Sequence, residues 1–380
     1  MKVVQVHTYL INPGMSKNWL FVKVETDEGI HGWGEAYTQS DRDRTIELHV
    51  QQLARYLIGR NPFDIRHFTF MAYTDFAGKR GSLELFCAIS ALEHALWDIA
   101  GKATGQPVYN LLGGAFRRRI PVYANGWGGG GSLDDLQRHA KAVIAKGFRA
   151  LKFDPFPNPW RAYIGKREED SAVARVAAVR DAVGPDVEIL VEVHRRLAPA
   201  QAIRVAARLE PYRPYWYEEP VSARDLNGLL EVKQGIALPV VTGEELYTKN
   251  EFRDVIGRRA AHILNPDVAN CGGILELREI AAMADCHHIA VSPHNYNSTT
   301  IGLAATIHAV AGMPNFLITE YFVNFEEVGK QLAHAPLLPT DGIIELPTAP
   351  GLGVELDEER LREYSYREFP TRALRTPDDE

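Results

Sequence analysis

From residue 121 onward one unit recurs eight times: a short apolar run, a polar turn and a segment with helical periodicity. The apolar runs are PVYANG (121–126), ALKFDP (150–155), EILVEVH (188–194), YWYEEP (215–220), PVVTGEE (239–245), HILNPDV (262–268), IAVSPHN (289–295) and FLITEY (316–321). Segments such as LDDLQRHAKAVIAK and DSAVARVAAVRDAV lie between them. Short strands alternating with helices of this length predict βαβ units and a parallel sheet. Eight of them predict a closed (β/α) barrel with its reactive face at the C-terminal strand ends. An open, doubly wound sheet is the alternative.

Residues 1–118 follow another pattern. LFVKVET and GIHGWGEAYT alternate around a DEG turn, and helical patterns follow at 43–58 and 86–103. This predicts an α+β capping domain at 1–118, joined through LLGGAFRRR to a barrel at 119–329. Residues 330–380, rich in proline and charge, are expected to return to the cap, with RTPDDE fraying at the end.

Composition excludes classes and selects none. A net charge of −7 gives no general attraction to nucleic acid or anionic membranes. The three cysteines, Cys87, Cys271 and Cys286, are far apart and form no CxxC, which argues against a disulfide framework or a thiolate zinc site. That fits a reducing, cytoplasmic setting. MKVVQVHTYLINPG reads as a first strand, not a secretory signal. No apolar run approaches the ~20 residues of a transmembrane helix.

The rungs carry an unusual load of ionisable groups near their C-terminal ends. They are Lys152 and Asp154 on the second rung, Glu192 and His194 on the third, Glu218 on the fourth, Glu244 on the fifth, Asp267 on the sixth, His294 on the seventh and Glu320 on the eighth. From Glu192 the steps run 26, 26, 23, 27 and 26 residues, one βα unit each, so a titratable group recurs at one height around the ring. A single acid at a strand end is ordinarily a cap or an ion pair. Seven consecutive rungs so equipped indicate a site.

Residues two apart on a strand share a face, which places Glu192 and His194 together and turns Val193 away. Glu192, Glu218 and Glu244 converge from adjacent rungs, and three carboxylates that close repel unless a cation holds them. All-oxygen ligation favours a hard divalent ion, Mg²⁺ best of all, at one per subunit. Pairing with Arg195 and Arg196 is the bland alternative. Which member of Glu218–Glu219 and of Glu244–Glu245 points inward is left open by the pattern. Asp267 and His294 on neighbouring rungs have the form of an oriented general base. His194 lies four rungs from His294, across the barrel mouth, and Lys152 stands beside the metal rungs as a further cation or second base.

Such a set suits one reaction type. A cation stabilises the ene-diolate left when His294 removes the α-proton of a carboxylate substrate. His194, as imidazolium, can then expel a β-hydroxyl as water. An epimerase, racemase or cycloisomerase using the same metal site is the nearest alternative. A histidine-rich zinc hydrolase, a non-catalytic sugar-acid binder and a nicotinamide oxidoreductase are more distant ones.

These residues, with ETDEGIHGWGEA (25–36), ALEHALWDIAGKATGQPVYNLLGG (91–114), YRPYWYEEPV, LNPDVANCGGILE, VSPHN and APGLGVELDE, closely resemble the enolase superfamily. The resemblance is to its mandelate racemase-like branch and, within it, to acid-sugar dehydratases of the galactonate dehydratase kind, and it covers nearly the whole chain. It implies an α/β fold, a (β/α)7β modified TIM barrel with an N-terminal α+β capping domain completed by the C-terminal segment. Cap loops around Pro13–Trp19 and Tyr73–Ser82 would close over the barrel. By position in the motifs, the metal ligands fall on Glu192, Glu218 and Glu244, the His–Asp dyad on His294 and Asp267, and the acid on His194. Glu320 matches a last-strand glutamate that touches substrate or intermediate. The resemblance further implies dehydration of an aldonate such as galactonate, gluconate or arabinonate to its 2-keto-3-deoxy acid, by a homo-oligomer between dimer and octamer.

Three features depart from the family's pattern. Glu192 stands where those dehydratases usually carry aspartate. Lys152-Phe153-Asp154 replaces the branch's frequent Lys-x-Lys, weakening two-base racemisation and leaving Asp154 without a role. Asn295-Tyr296-Asn297 after His294 leaves the identity of the sugar acid open. Three further signals mislead. GWGGGG (126–131) matches GxGxxG formally, without the direct helix start of a dinucleotide site. His287-His288 diverge in direction at a helix end, and KREED (166–170) reads as a solvated helix start.

Overall fold

The computed structural model describes residues 1–128, 130–372 and 374–379. Three antiparallel strands, β1 (Val3–Ile11), β2 (Trp19–Thr26) and β3 (His31–Ala36), open the chain. The period-two alternation of β2 divides its side chains between two cores. Leu20, Val22 and Val24 pack in the cap with Leu92, Ala95 and Ile99, whereas Trp19 and Phe21 join the barrel core. Gly34 lets β3 lie directly on its helix: a Cβ there would stand 1.8 Å from the Ala91 carbonyl oxygen.

The cap helices are α1 (Asp43–Ala54), α2 (Ile65–Met71), α3 (Leu83–Thr104) and the short α4 (Val108–Leu111). Ser82 caps α3, accepting from the Leu85 N–H, and Gly105 ends it in the left-handed region at φ 65°. Tyr73–Phe76, expected within a closing loop, belong to a π-helical turn (Ala72–Phe76) that continues α2, and the Tyr73 ring lies 5.5 Å from that of Phe86.

The barrel strands are β4 (Arg119–Asn125), β5 (Ala150–Phe153), β6 (Glu188–Glu192), β7 (Trp216–Glu218), β8 (Val240–Thr242), β9 (Ile263–Leu264), β10 (Ala290–Val291) and β11 (Thr319–Phe322). They pair in parallel in the order β10-β9-β8-β7-β6-β5-β4-β11, and a parallel bridge from Val291 to Phe316 closes the cylinder. Helices α5 (Leu133–Ala145), α6 (Lys166–Val183), α7 (Pro199–Leu209), α8 (Leu226–Gly235), α9 (Thr248–Gly257), α10 (Ile274–Asp285) and α11 (Ile301–Ala311) alternate with them. The expected α/β barrel with an α+β cap is the fold observed.

Strand phase explains the site's position. Tyr123, Ala150, Leu190, Trp216, Val241 and Ile263 point inward and form one apolar layer across the barrel. Two residues further along each strand stand Asn125, Lys152, Glu192, Glu218, Gly243 and Asn265, so the polar floor of the site rests on that layer.

After α12 (Glu326–Leu332), β12 (Ala333–His334) pairs with β14 (Glu355–Leu356), and β13 (Ile343–Glu345) adds antiparallel to β4. Helix α13 (Glu358–Glu363) reaches the cap sheet, where Glu358 accepts from Tyr9 Oη at 2.6 Å and from Lys23 Nζ at 2.6 Å. Two buried cap carboxylates seat on barrel helices. Glu93 of α3 accepts from the Ile274 and Leu275 N–H groups at the start of α10, both at 2.9 Å. Glu35 of β3 accepts from the Gly302 N–H at the start of α11 at 2.8 Å, and from the Ser298 and Thr300 hydroxyls.

Some readings need correction. KREED is not simply solvated: Glu169 is buried and paired with Arg204 and Arg208. His288 is exposed at φ 56° beyond α10, with His287 partly buried beside it. Within GWGGGG, Gly129 lies outside the described residues, and the run leads to Ser132, the N-cap of α5 in a capping box with Asp135. In the tail RTPDDE, Glu380 also lies outside the described residues. No described helix is long and apolar enough to cross a membrane.

Candidate active site

Glu192, Glu218 and Glu244 each bring a carboxylate oxygen within 4.8 Å of the others. Glu192 and Glu218 follow the inward phase of their strands, but Glu244 does not. Its strand ends at Thr242, and Gly243 at φ 139° changes the direction of the chain so that the next residue reaches the cluster. The sister glutamates serve elsewhere. Glu219 accepts from Thr242 Oγ1 and the Gly243 N–H at 3.1 and 2.7 Å. Glu245 accepts from Ser222 Oγ and the Ala223 N–H.

The strands are shorter than expected, and His194 is not on one. Strand β6 ends at Glu192, while His194 and Arg195 take left-handed conformations at φ 55° and 61°. His194 still faces Glu192, because its backbone N–H donates to Glu192 Oε1 at 2.6 Å rather than because of strand alternation. Its Nδ1 lies 2.8 Å from Asp154 Oδ2, which gives Asp154 a task. Trp160 stacks on the imidazole at 5.5 Å and 19°, and the Arg196 guanidinium covers the same indole at 4.8 Å. A cavity of about 500 Å³ opens beside it, lined among others by Asn125, Lys152, Asp154, Trp160, Arg175 and Glu192.

On the opposite staves His294 Nδ1 lies 2.7 Å from Asp267 Oδ2, and its Nε2 is 3.2 Å from Glu244 Oε2 and 3.5 Å from Glu320 Oε2. Asp267 is fixed by the Ala269 and Tyr296 N–H groups at 2.8 and 3.1 Å. Burial disfavours the His294 imidazolium, but Glu320, Glu244 and the bond to Asp267 outweigh it and raise the pKa to about 10.

Lys152 is buried among carboxylates, 2.7 Å from Glu218, 2.8 Å from Glu320 and 3.7 Å from Glu192. Burial works against its charge, yet Glu218 and Glu320 hold its pKa well above the usual lysine range. Burial also works against ionisation of Glu320, but Lys152 and His294 keep its carboxyl below the usual range. The arginine alternative is realised in part: Arg195 pairs with Glu244, and Arg196 pairs with Asp154.

Sequence reasoning passed over Asn265 and Asn125, which donate to Glu218 at 3.0 Å and to Glu320 at 2.7 Å. Each stands two residues beyond an inward apolar residue, the signal that would have found it. It also passed over Trp160 in FPNPW, for which no pattern speaks.

Burial first, and then the charge of Glu244, raise the pKa of Glu192 to about 7. Burial and Glu192 push Glu218 well above its usual range. Around the cluster stand seven acids, Asp154, Glu192, Glu218, Glu219, Glu244, Asp267 and Glu320, against Lys152, Arg195, Arg196 and the His294 imidazole. Glu192 Oε2, fully buried, has no hydrogen-bond partner. An acid excess, resisted ionisation and an orphaned oxygen fit a divalent cation held by oxygen ligands.

Residues 135–360 match the family model described as Enolase C-terminal domain-like, and residues 10–113 match the Mandelate racemase / muconate lactonizing enzyme, N-terminal domain. The chain is 36% identical over 372 residues to the D-galactonate dehydratase of Ralstonia pickettii, covering 96% of this chain and 94% of the relative. It is 36% identical over 351 residues to the D-gluconate dehydratase of Thermoproteus tenax, covering 91% and 69%. The crystal structure of a mandelate racemase/muconate lactonizing enzyme from Sulfitobacter superposes with a TM-score of 0.89 at 34% identity, covering 97% of this chain and 96% of that one.

Proposed function

Because the chain belongs to the mandelate racemase-like branch of the enolase superfamily, we propose that it is a hydro-lyase that dehydrates a sugar acid to the 2-keto-3-deoxy acid. The names of its relatives, galactonate and gluconate dehydratase, support this reading across nearly the full chain. One observation carries it within the site: two histidines, each held at Nδ1 by a carboxylate, flank one carboxylate cluster from opposite staves.

Glu192, Glu218 and Glu244 would hold a Mg²⁺ ion. When bound, that ion would supply positive charge against the negative charge developing on the substrate carboxylate as its α-carbon loses a proton. The remaining work falls to the chain. Asp267 fixes the His294 tautomer and turns Nε2 into the site. Part of the negative charge that otherwise keeps this imidazole protonated would be offset by a cation on Glu244, freeing Nε2 to take the C2 proton. Asp154 likewise fixes the tautomer of His194, which gives its proton to the C3 hydroxyl so that the C3–O bond breaks and water leaves. The enol so formed loses its O–H proton and gains one at C3 to become the 2-keto acid, so the atoms balance without any oxidant.

Glu320, held by Lys152 and Asn125, forms a fixed polar wall of the site. Racemisation would need a second base facing His294. Lys152, held charged by Glu218 and Glu320, is poorly suited to it.

The test is a panel of aldonic and aldaric acids with Mg²⁺, assayed for 2-keto-3-deoxy product. One acid turned over at a rate abolished by both His194→Asn and His294→Asn supports the reading. Exchange of the C2 proton without product, persisting in His194→Asn, replaces it with epimerisation.

A further inference from the structure

Lys17 is the buried cation that this chemistry leaves without a task. It lies in the loop between β1 and β2 and is 6% exposed. No carboxylate pairs with it among the described residues. Its ammonium donates to the Thr38 carbonyl at 3.2 Å. It also lies over two aromatic faces, 4.3 Å from the centre of the Tyr296 ring and 5.7 Å from that of Tyr37. An ammonium withdrawn from water without a counter-ion is costly, and a cation–π contact returns only part of that cost. Burial accordingly draws the Lys17 pKa down to about 8, opposed by the more distant charges of Glu35, Asp43 and Asp267.

The loop that carries Lys17 is held in place by its own side chains. Asn12 Oδ1 accepts from the Gly14 and Met15 N–H groups at 2.8 and 3.0 Å, and its Nδ2 donates to the Lys17 carbonyl at 2.9 Å. Asn18 donates to Asp43 at 2.8 Å. The ammonium is therefore aimed, not trailing.

The two rings beneath it surround His294. Tyr296 lies nearly parallel to the imidazole, 6.0 Å between centroids at 10°. Its backbone N–H donates to Asp267 Oδ2, the same oxygen that stands 2.7 Å from His294 Nδ1. Tyr37 stacks on Tyr296 at 5.1 Å and tilts over His294 at 6.5 Å.

We propose that Lys17 is a positioning residue for the base: its ammonium clamps the Tyr37–Tyr296 pair against the His294 imidazole, so that the base is aligned only while cap loop 12–18 is seated. The proposal rests on His294 being the base. A lysine that merely filled the interface would be replaceable by an apolar chain of equal length, whereas a clamp needs the charge.

Two variants separate these roles. Lys17→Met keeps length and volume, and Lys17→Arg keeps the charge. The first readout is the His294 Nδ1–H proton resonance in the Mg²⁺-loaded protein without substrate, assigned by its loss in His294→Asn. The second is kcat and KM on the sugar acid that the panel identifies. In Lys17→Met the resonance should broaden or move, with kcat about tenfold lower and KM within about twofold. Lys17→Arg should restore both. An unchanged resonance and kcat in Lys17→Met, or equal losses in the two variants, overturns the proposal. Should Lys17→Met fail to fold, Tyr296→Leu removes the clamped ring from a partly exposed position, and an unchanged resonance there is equally decisive. If no sugar acid is turned over, the resonance alone decides the clamp, and the failure falls on the proposed reaction.

Discussion

His194 Nδ1 lies 2.8 Å from Asp154 Oδ2, which gives this chain a second histidine–carboxylate dyad four strands from that of His294 and Asp267. The two differ in burial: the His294 side chain is 7% exposed, whereas that of His194 is 35% exposed against Trp160. The difference is compatible with the roles proposed for them, His294 as base and His194 as acid.

Asp154→Asn should therefore act on the second half of the reaction only. Removing the carboxylate that orients His194 is expected to lower the dehydration rate by about 10²–10⁴-fold. Wash-in of deuterium at C2 from D₂O, which needs only His294, should persist. Proton NMR of substrate recovered from the Asp154→Asn and Asp267→Asn enzymes checks this. Loss of exchange in Asp154→Asn would show that the dyads are not independent.

Glu192 spans two demands at once. Its Oε1 accepts from the His194 N–H at 2.6 Å, while Oε2 has no hydrogen bond and stands 3.7 Å from Lys152 Nζ. Glu192→Asp, one methylene shorter, cannot reach both. Mg²⁺ affinity by calorimetry should fall by roughly 10–100-fold, as seen when ligand-supporting bonds are lost. An unchanged affinity would mean that the backbone at 192–194 moves to follow the shorter side chain.

Arg195 competes with a cation for Glu244. In Arg195→Met the metal-free protein should lose stability, because a buried carboxylate is left unpaired, while added Mg²⁺ should restore more of it than in the parent. The expected result is a larger rise in Tm on adding Mg²⁺ to the variant. An equal rise in both proteins would remove Arg195 from the charge balance of the site.

Two histidines outside the site set an acid limit. Burial holds the pKa of His94 and of His308 down to about 4, against 6.5 for an ordinary imidazole. The unfolded chain takes up these protons as pH falls through 6.5, and the folded protein not until about 4. Stability is therefore full above pH 6.5 and declines toward pH 4, by up to roughly 3 kcal/mol per histidine. His308 accepts from the Tyr109 N–H at 3.1 Å and faces the Leu352 carbonyl at 3.0 Å, two roles that glutamine can fill. His308→Gln should flatten the fall in urea midpoint between pH 7 and 4.5, and an unaltered slope would exclude His308 as a contributor.

The sequence made the barrel legible because eight apolar runs at one spacing have few other solutions. Lys152, Glu192 and Glu218 were legible for a related reason, since each stands two residues beyond an inward apolar side chain on its own strand. Glu244 was ambiguous with Glu245 because its orientation depends on the φ of Gly243, which alternation does not encode. His194 faces Glu192 as alternation would have it, but as a left-handed residue tethered through its N–H beyond the end of the strand. Asp154 and Lys17 could not be given roles, because their partners are distant in sequence: Tyr296 is 279 residues from Lys17 and meets it only after the barrel closes on the cap.

The seats of Glu93 on α10 and Glu35 on α11 restrict how the molecule can breathe. Swinging the cap away as a rigid door would strip two barrel helices of the acceptors at their first turns and break the hydrogen bonds that hold two buried carboxylates. Access to the barrel mouth that keeps this frame shut would have to come from movement of loop segments alone. Transplanting a relative's cap onto this barrel would have to carry both glutamates with it, because they are as much a part of the barrel's helices as of the cap.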